Sequence, residues 1–179
     1  MIIKLFNLSG GIGRCGIVDL HGTRYQEQFE NGQTRIRDKQ LPWKLRLLKW
    51  GNNPTSKGNV RITKLTAEIL EENQRIHGFQ DVAIDFEHNT SPGTEEYKRT
   101  FEPRPVAGYG RPQAHPMNGL ELCSIQWTAL GVKALNEGLY KDLSPSVAVN
   151  DNDEVIFVHS VALCRNGAVY NLELDTAQV

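Results

Sequence analysis

The chain is short of several things, and each shortage closes off a class of function. Only three of its 179 residues are cysteines, Cys15, Cys123 and Cys164, an odd and scattered set. They form no CxxC pair, so neither a zinc site nor a disulfide framework is indicated, and buried free thiols are the expectation. No apolar run approaches the roughly 20 residues that a membrane-spanning helix needs. The opening segment, Met1-Ile2-Ile3-Lys4-Leu5-Phe6, lacks the long apolar stretch of a secretory signal, which predicts a protein that stays in the cytoplasm of the cell that makes it. Charge of one sign is not in excess either. Twenty lysines and arginines stand against 21 aspartates and glutamates, a formal net charge of −1, so there is no globally basic surface for nucleic acid.

The residues that are present suit a folded core. Hydrophobic residues make up 39% and charged residues 23%, and the length fits one domain over 1–179. Residues 1–8 and 16–20 read as strands around a glycine-rich turn. Residues 24–58 are polar and irregular apart from an apolar patch from Leu41 to Trp50, and are expected to be mobile or ordered by a partner. A helix is predicted over 67–77, with Thr66 as N-cap and Gly78 as terminator. Strands are predicted at 81–88, near 106–109, at 120–127, 139–149 and 154–164, and at 168–174. The turn Asn150-Asp151-Asn152-Asp153 joins two of them, and Thr128 caps a short helix over 129–137. About seven strands and two or more helices without β-α-β alternation predict an α+β fold, a mostly antiparallel β-barrel.

Gly11-Ile12-Gly13-Arg14-Cys15-Gly16 matches GxGxxG, but the next residues, Ile17-Val18-Asp19-Leu20, are strand-like. Without a helix there is no N-terminus to receive a pyrophosphate, so the motif reads as a plain turn. Two other segments can carry chemistry. Ile84-Asp85-Phe86-Glu87-His88 is a strand ending in a histidine at the edge of a polar loop. Alternation puts Val82, Ile84, Phe86 and His88 on one face and Ala83, Asp85 and Glu87 on the other. Asp142-Leu143-Ser144-Pro145-Ser146-Val147 offers two serines on one strand face. A serine hydroxyl is a poor nucleophile until a base takes its proton, so it needs a histidine within hydrogen-bond reach.

Val82-Ala83-Ile84-Asp85-Phe86-Glu87-His88 resembles the histidine strand of Mu-like prophage I proteins, proteases encoded with phage head genes. The family's other blocks have counterparts in order: Ala107-Gly108-Tyr109, Trp127-Thr128-Ala129-Leu130-Gly131, Gly138-Leu139-Tyr140, Ser144-Pro145 and Ser160-Val161-Ala162-Leu163 with Asn166 and Ala168. They span about residues 60–170. The chain is also similar to the wider group of prohead proteases and herpesvirus assemblins, through Val161-Ala162-Leu163-Cys164-Arg165.

The resemblance implies a serine endopeptidase without metal or organic cofactor, acting on phage scaffold and major capsid proteins inside the immature head, in the host cytoplasm. A homo-oligomer is compatible with it; nucleic acid and membrane partners are not implied. It implies Ser144 rather than Ser146 as nucleophile, His88 as general base, and the backbone N–H of Arg165 as oxyanion donor. For the third residue its register gives Ser160, while chemistry alone would choose His159, one residue away on the other strand face. Gly167 stands where many relatives have proline. Two other readings exist: a non-enzymatic head-assembly protein that keeps the fold, and a metal-dependent hydrolase using His88, Asp85, Glu87 and His115. Asp85 and Glu87 fall on the face opposite His88 and no HExxH spacing exists, which weighs against the metal site.

Overall fold

The computed structural model describes residues 41–55, 57–140 and 142–165, together with the backbone of three short strands nearer the N-terminus. Those three are β1 (Lys4–Asn7), β2 (Gln26–Gln28) and β3 (Thr34–Ile36). The GxGxxG turn, the strand expected at 16–20, Cys15, and the closing strand expected at 168–174 lie outside the described residues.

The other elements in chain order are β4 (Leu45–Leu48), β5 (Gly51–Thr55), β6 (Gly58–Ile62), α1 (Lys64–Ile76), β7 (Val82–Phe86), α2 (Glu95–Arg99), β8 (Val106–His115), β9 (Gly119–Trp127), α3 (Ala129–Asn136), β10 (Asp142–Val149) and β11 (Val155–Cys164). The fold is α+β, as expected. Seven strands form one sheet in the order β1-β10-β11-β7-β8-β9-β4, and β2-β3 and β5-β6 are separate hairpins. The expectation of mostly antiparallel pairing is roughly matched, with one exception. β7 and β11 run parallel at the centre of the sheet, while its other pairings are antiparallel, so the sheet is mixed. Parallel neighbours need a long crossover, and here β8, β9, α3 and β10 supply it. The sheet curls until β4 comes near β10, so it is nearly closed.

The stretch 24–58 is also more regular than its polarity suggested. β2 to β5 all fall in it, and Leu45, Leu47 and Leu48 of β4 are fully buried in the main core. The apolar patch is thus an edge strand of the sheet, paired with β9. Helix α1 begins three residues before the expected start. Thr63 is its N-cap and Thr66 sits at N3, where its hydroxyl accepts the Thr63 backbone N–H at 3.2 Å. The strand expected near 106–109 runs on to His115, and its hairpin turn is held by His115, whose Nδ1 accepts the N–H groups of Met117 and Asn118.

The core gathers Leu45, Ile62, Leu70, Ile84, Leu122, Leu135, Val161 and Leu163 around the sheet. Two of the motif blocks are packing blocks. Thr128 caps α3 by accepting the Gly131 N–H at 3.1 Å and donates to the carbonyl oxygens of Val106 and Ala107. Gly131 lies so close to β8 that a Cβ there would stand 2.0 Å from the Ala107 carbonyl oxygen. Gly131→Ala must therefore push α3 off the sheet, and should destabilise the fold by about 1–3 kcal/mol or more in chemical denaturation. An effect below about 0.5 kcal/mol, the range of ordinary surface changes, would show that the helix can move aside freely.

Candidate active site

Cross-strand register sorts the centre of the sheet into two faces, because residues directly opposite one another point the same way. Asp85, Ala162 and Ser144 form one row across β7, β11 and β10, and Ala83, Ser160 and Ser146 form the next row on that face. The other face carries Ile84, Val161 and Pro145, then Phe86, Leu163 and Leu143, and belongs to the hydrophobic core. One face is thus small and polar where its neighbour is large and apolar.

Alternation would send His88 to the apolar face with Ile84 and Phe86, and the structure corrects that reading. The strand stops at Phe86, and Glu87 and His88 both take left-handed backbone conformations, with φ of 52° and 63°. Two such residues reverse the chain and swing the imidazole back to the Asp85 face. There His88 Nε2 lies 2.8 Å from Ser144 Oγ. The loop after His88 folds over the same polar face, with Ser91 Oγ 3.0 Å from Ser160 Oγ. Asp85, assigned by alternation to the opposite face, accepts the His88 backbone N–H at 3.1 Å.

The pair is sealed off. Ser144 is 0% and His88 1% exposed. Burial, with smaller contributions from Lys57 and His159, pushes the His88 imidazolium down to about pKa 4. The ring is therefore neutral at physiological pH. With its proton on Nδ1, Nε2 can accept the Ser144 hydroxyl proton, which is the arrangement a general base requires. Nδ1 itself is buried, with no hydrogen-bond partner among the described residues. Neither residue considered for the third position bonds it. Ser160 Oγ faces Ser91, His159 Nδ1 at 3.3 Å and, more weakly, the Asp85 carboxylate. His159 is skipped in the β10–β11 register, where Ser146 pairs with Ser160 and Val147 with Val158, so it bulges out and packs on Phe79. Ser160 is in turn linked to the histidine through Ser91, whose N–H donates to the His88 carbonyl at 3.0 Å.

The backbone N–H of Arg165 donates to Glu87 Oε1 at 3.1 Å, so that amide is engaged. Glu87 is thereby tied to the end of β11, and His115 holds the far hairpin turn. Among the described residues no three His, Cys, Asp or Glu side chains are grouped to hold a metal ion. Cys123 is half-buried and Cys164 is buried, both as free thiols, and burial raises the Cys164 thiol well above its usual range. No helix among the described residues is long and apolar enough to cross a membrane. The residue that sequence reasoning undervalued is Asp85. Its motif position was visible, but the reversal that makes it a neighbour of His88 was not.

The two buried groups titrate in opposite senses. Burial raises Asp85 to about pKa 6 and lowers His88 to about 4. Between roughly pH 6.5 and 4 the unfolded chain binds a proton at His88 that the folded chain does not, so His88 destabilises the fold as pH falls. Asp85 has the reverse sign, because its folded form takes up a proton before its unfolded form does. The stability difference between wild type and His88→Ala should therefore shift against the wild type as pH falls through this window. The shift should be up to about 1.4 kcal/mol per pH unit, measured by urea unfolding. Nitrogen NMR should show a neutral His88 ring at pH 5. A ring that titrates near 6.5 would mean that the site is wet.

A search of curated proteins and a search of solved structures each find no match. A family model described as Mu-like prophage I protein, N-terminal domain, matches residues 31–174, which include every residue of the site just described. The chain belongs to the Mu-like prophage I protein family, a phage-related family.

Proposed function

We propose that this protein is a serine endopeptidase of phage head maturation, with Ser144 as nucleophile and His88 as its base. The observation that carries the reading is the 2.8 Å contact between Ser144 Oγ and a neutral, buried His88 Nε2. Family membership adds the phage context. Its substrates would be scaffold and capsid proteins within the immature head, and the nearly closed sheet would be a barrel of the assemblin kind. Ser144 would attack a peptide carbonyl as His88 takes its proton. His88 would then protonate the leaving amine, and water would release the acyl-enzyme.

Ser160 is the proposed third residue, acting through Ser91 on the histidine loop. Ser160 does not touch the ring, so nothing among the described residues steadies the imidazolium directly, and this would be a slow protease. The Arg165 amide is the proposed oxyanion donor, and Glu87 has to release it first. Loss of one such donor typically costs about 100- to 1,000-fold in rate. An open hollow of about 370 Å³, lined by Phe86, Glu87, Leu130, Leu139 and Tyr140 among others, lies at the sheet end where β7 stops and β10 begins, and we place a substrate side chain there.

One observation favours a second reading, a head-assembly protein that keeps the fold without catalysis. Both reacting groups are closed to solvent. Co-expression with the cognate scaffold protein separates the two. The protease reading expects scaffold cleavage that Ser144→Ala and His88→Ala each abolish and Ser146→Ala does not. Cleavage that survives Ser144→Ala, or no cleavage by the wild type, would favour the second.

A further inference from the structure

We propose that Asp85 is the positioning residue of this site, its carboxylate holding the left-handed turn that delivers the His88 ring to Ser144. The inference deepens the proposed function, since it concerns the same pair. Its ground is the hydrogen bonding of the turn. Glu87 and His88 occupy a region of backbone space that costs side-chain-bearing residues on the order of 1–3 kcal/mol each when the surroundings must enforce it. Neither is the glycine or asparagine that would adopt it readily.

Asp85 supplies the enforcement. It is fully buried, fixed in mid-sheet between Ala162 of β11 and Val106 of β8. Oδ1 accepts the His88 backbone N–H at 3.1 Å, and Oδ2 accepts the Thr90 N–H at 3.2 Å and the Thr90 hydroxyl. The remaining bonds satisfy other groups: Asn89 N–H donates to the Phe86 carbonyl, and Ser91 N–H and Thr94 Oγ1 donate to the His88 carbonyl. The carboxylate alone meets the amide of the histidine itself.

This differs from the acidic member of a triad. Both Asp85 oxygens accept from the turn, the Ser160 hydroxyl of β11 is a further, weaker partner, and the outer ring nitrogen of His88 bonds neither oxygen. Asp85 would act through the backbone, setting where the ring sits rather than steadying its charge. Keeping a carboxylate fully buried is costly, and its raised pKa reflects that cost. An asparagine at this position would be the wrong replacement, because its NH₂ would face an N–H or O–H donor.

The test combines kinetics on a scaffold-derived peptide with nitrogen NMR of His88 in Asp85→Asn and Thr90→Val. A displacement of about 1 Å can cost roughly 100-fold in rate. Asp85→Asn should therefore lower kcat by about that factor with KM little changed. Its His88 ring should titrate near the ordinary value of about 6.5 as it leaves the pocket, in a protein that circular dichroism shows folded. Thr90→Val, which deletes a single hydroxyl bond, should move both readouts the same way by less, about threefold to tenfold in kcat. If Asp85→Asn does not fold, Thr90→Val decides alone. A folded variant with wild-type kcat and an unshifted His88 titration overturns the proposal. Should the wild-type chain fail to cleave, the protease reading falls, while the His88 titrations still decide whether Asp85 holds the turn.

Discussion

At the end of β7 two left-handed residues turn the chain back on itself, and the Asp85 carboxylate meets that turn from inside the sheet. Without the reversal, His88 would continue the strand and point at the core beside Phe86. With it, the imidazole returns to the small, polar face, where Ser144 stands one strand beyond β11. The parallel pairing of β7 with β11 makes the row possible, because it aligns Asp85 with Ala162 and so with Ser144.

The rest of the structure keeps that row in place. Small residues at Ala83, Ser160, Ser146 and Ala162 leave room for the loop after His88 to lie over the sheet, with Ser91 against Ser160. Helix α1 is tied to the far side of β11 by Gln74, which accepts the Val158 N–H at 2.8 Å and donates to the Val158 carbonyl at 2.9 Å. Helix α3 locks β8 through Thr128 and Gly131. The result is an enclosed pair, and burial keeps the imidazole neutral with Nε2 placed against the Ser144 hydroxyl.

Much of this was legible in the sequence where local chemistry decides. The capped helix after Thr128, the turn Asn150 to Asp153 and the strands on either side of it fall where composition put them. Ser144 and His88 were marked by their motif blocks, and the structure brings them together. What pattern could not supply was anything that breaks the pattern. Period-two alternation assigned Asp85 and His88 to opposite faces, and two residues of positive φ undo it. Alternation likewise left Ser160 and His159 undecided, because a bulge at His159 shifts the register. Among the described residues of the polar stretch around β4, the four of β4 enter the main sheet, and three of those are the buried leucines of the core.

The central claim is that the buried Ser144–His88 contact is a working nucleophile and base, and a fluorophosphonate probe tests it most directly, since only an activated serine reacts readily. A single adduct on Ser144 is predicted, found by peptide mass spectrometry, that disappears in His88→Ala while Ser146→Ala still labels. An adduct on Ser146, or labelling of Ser144 that does not need His88, would contradict it.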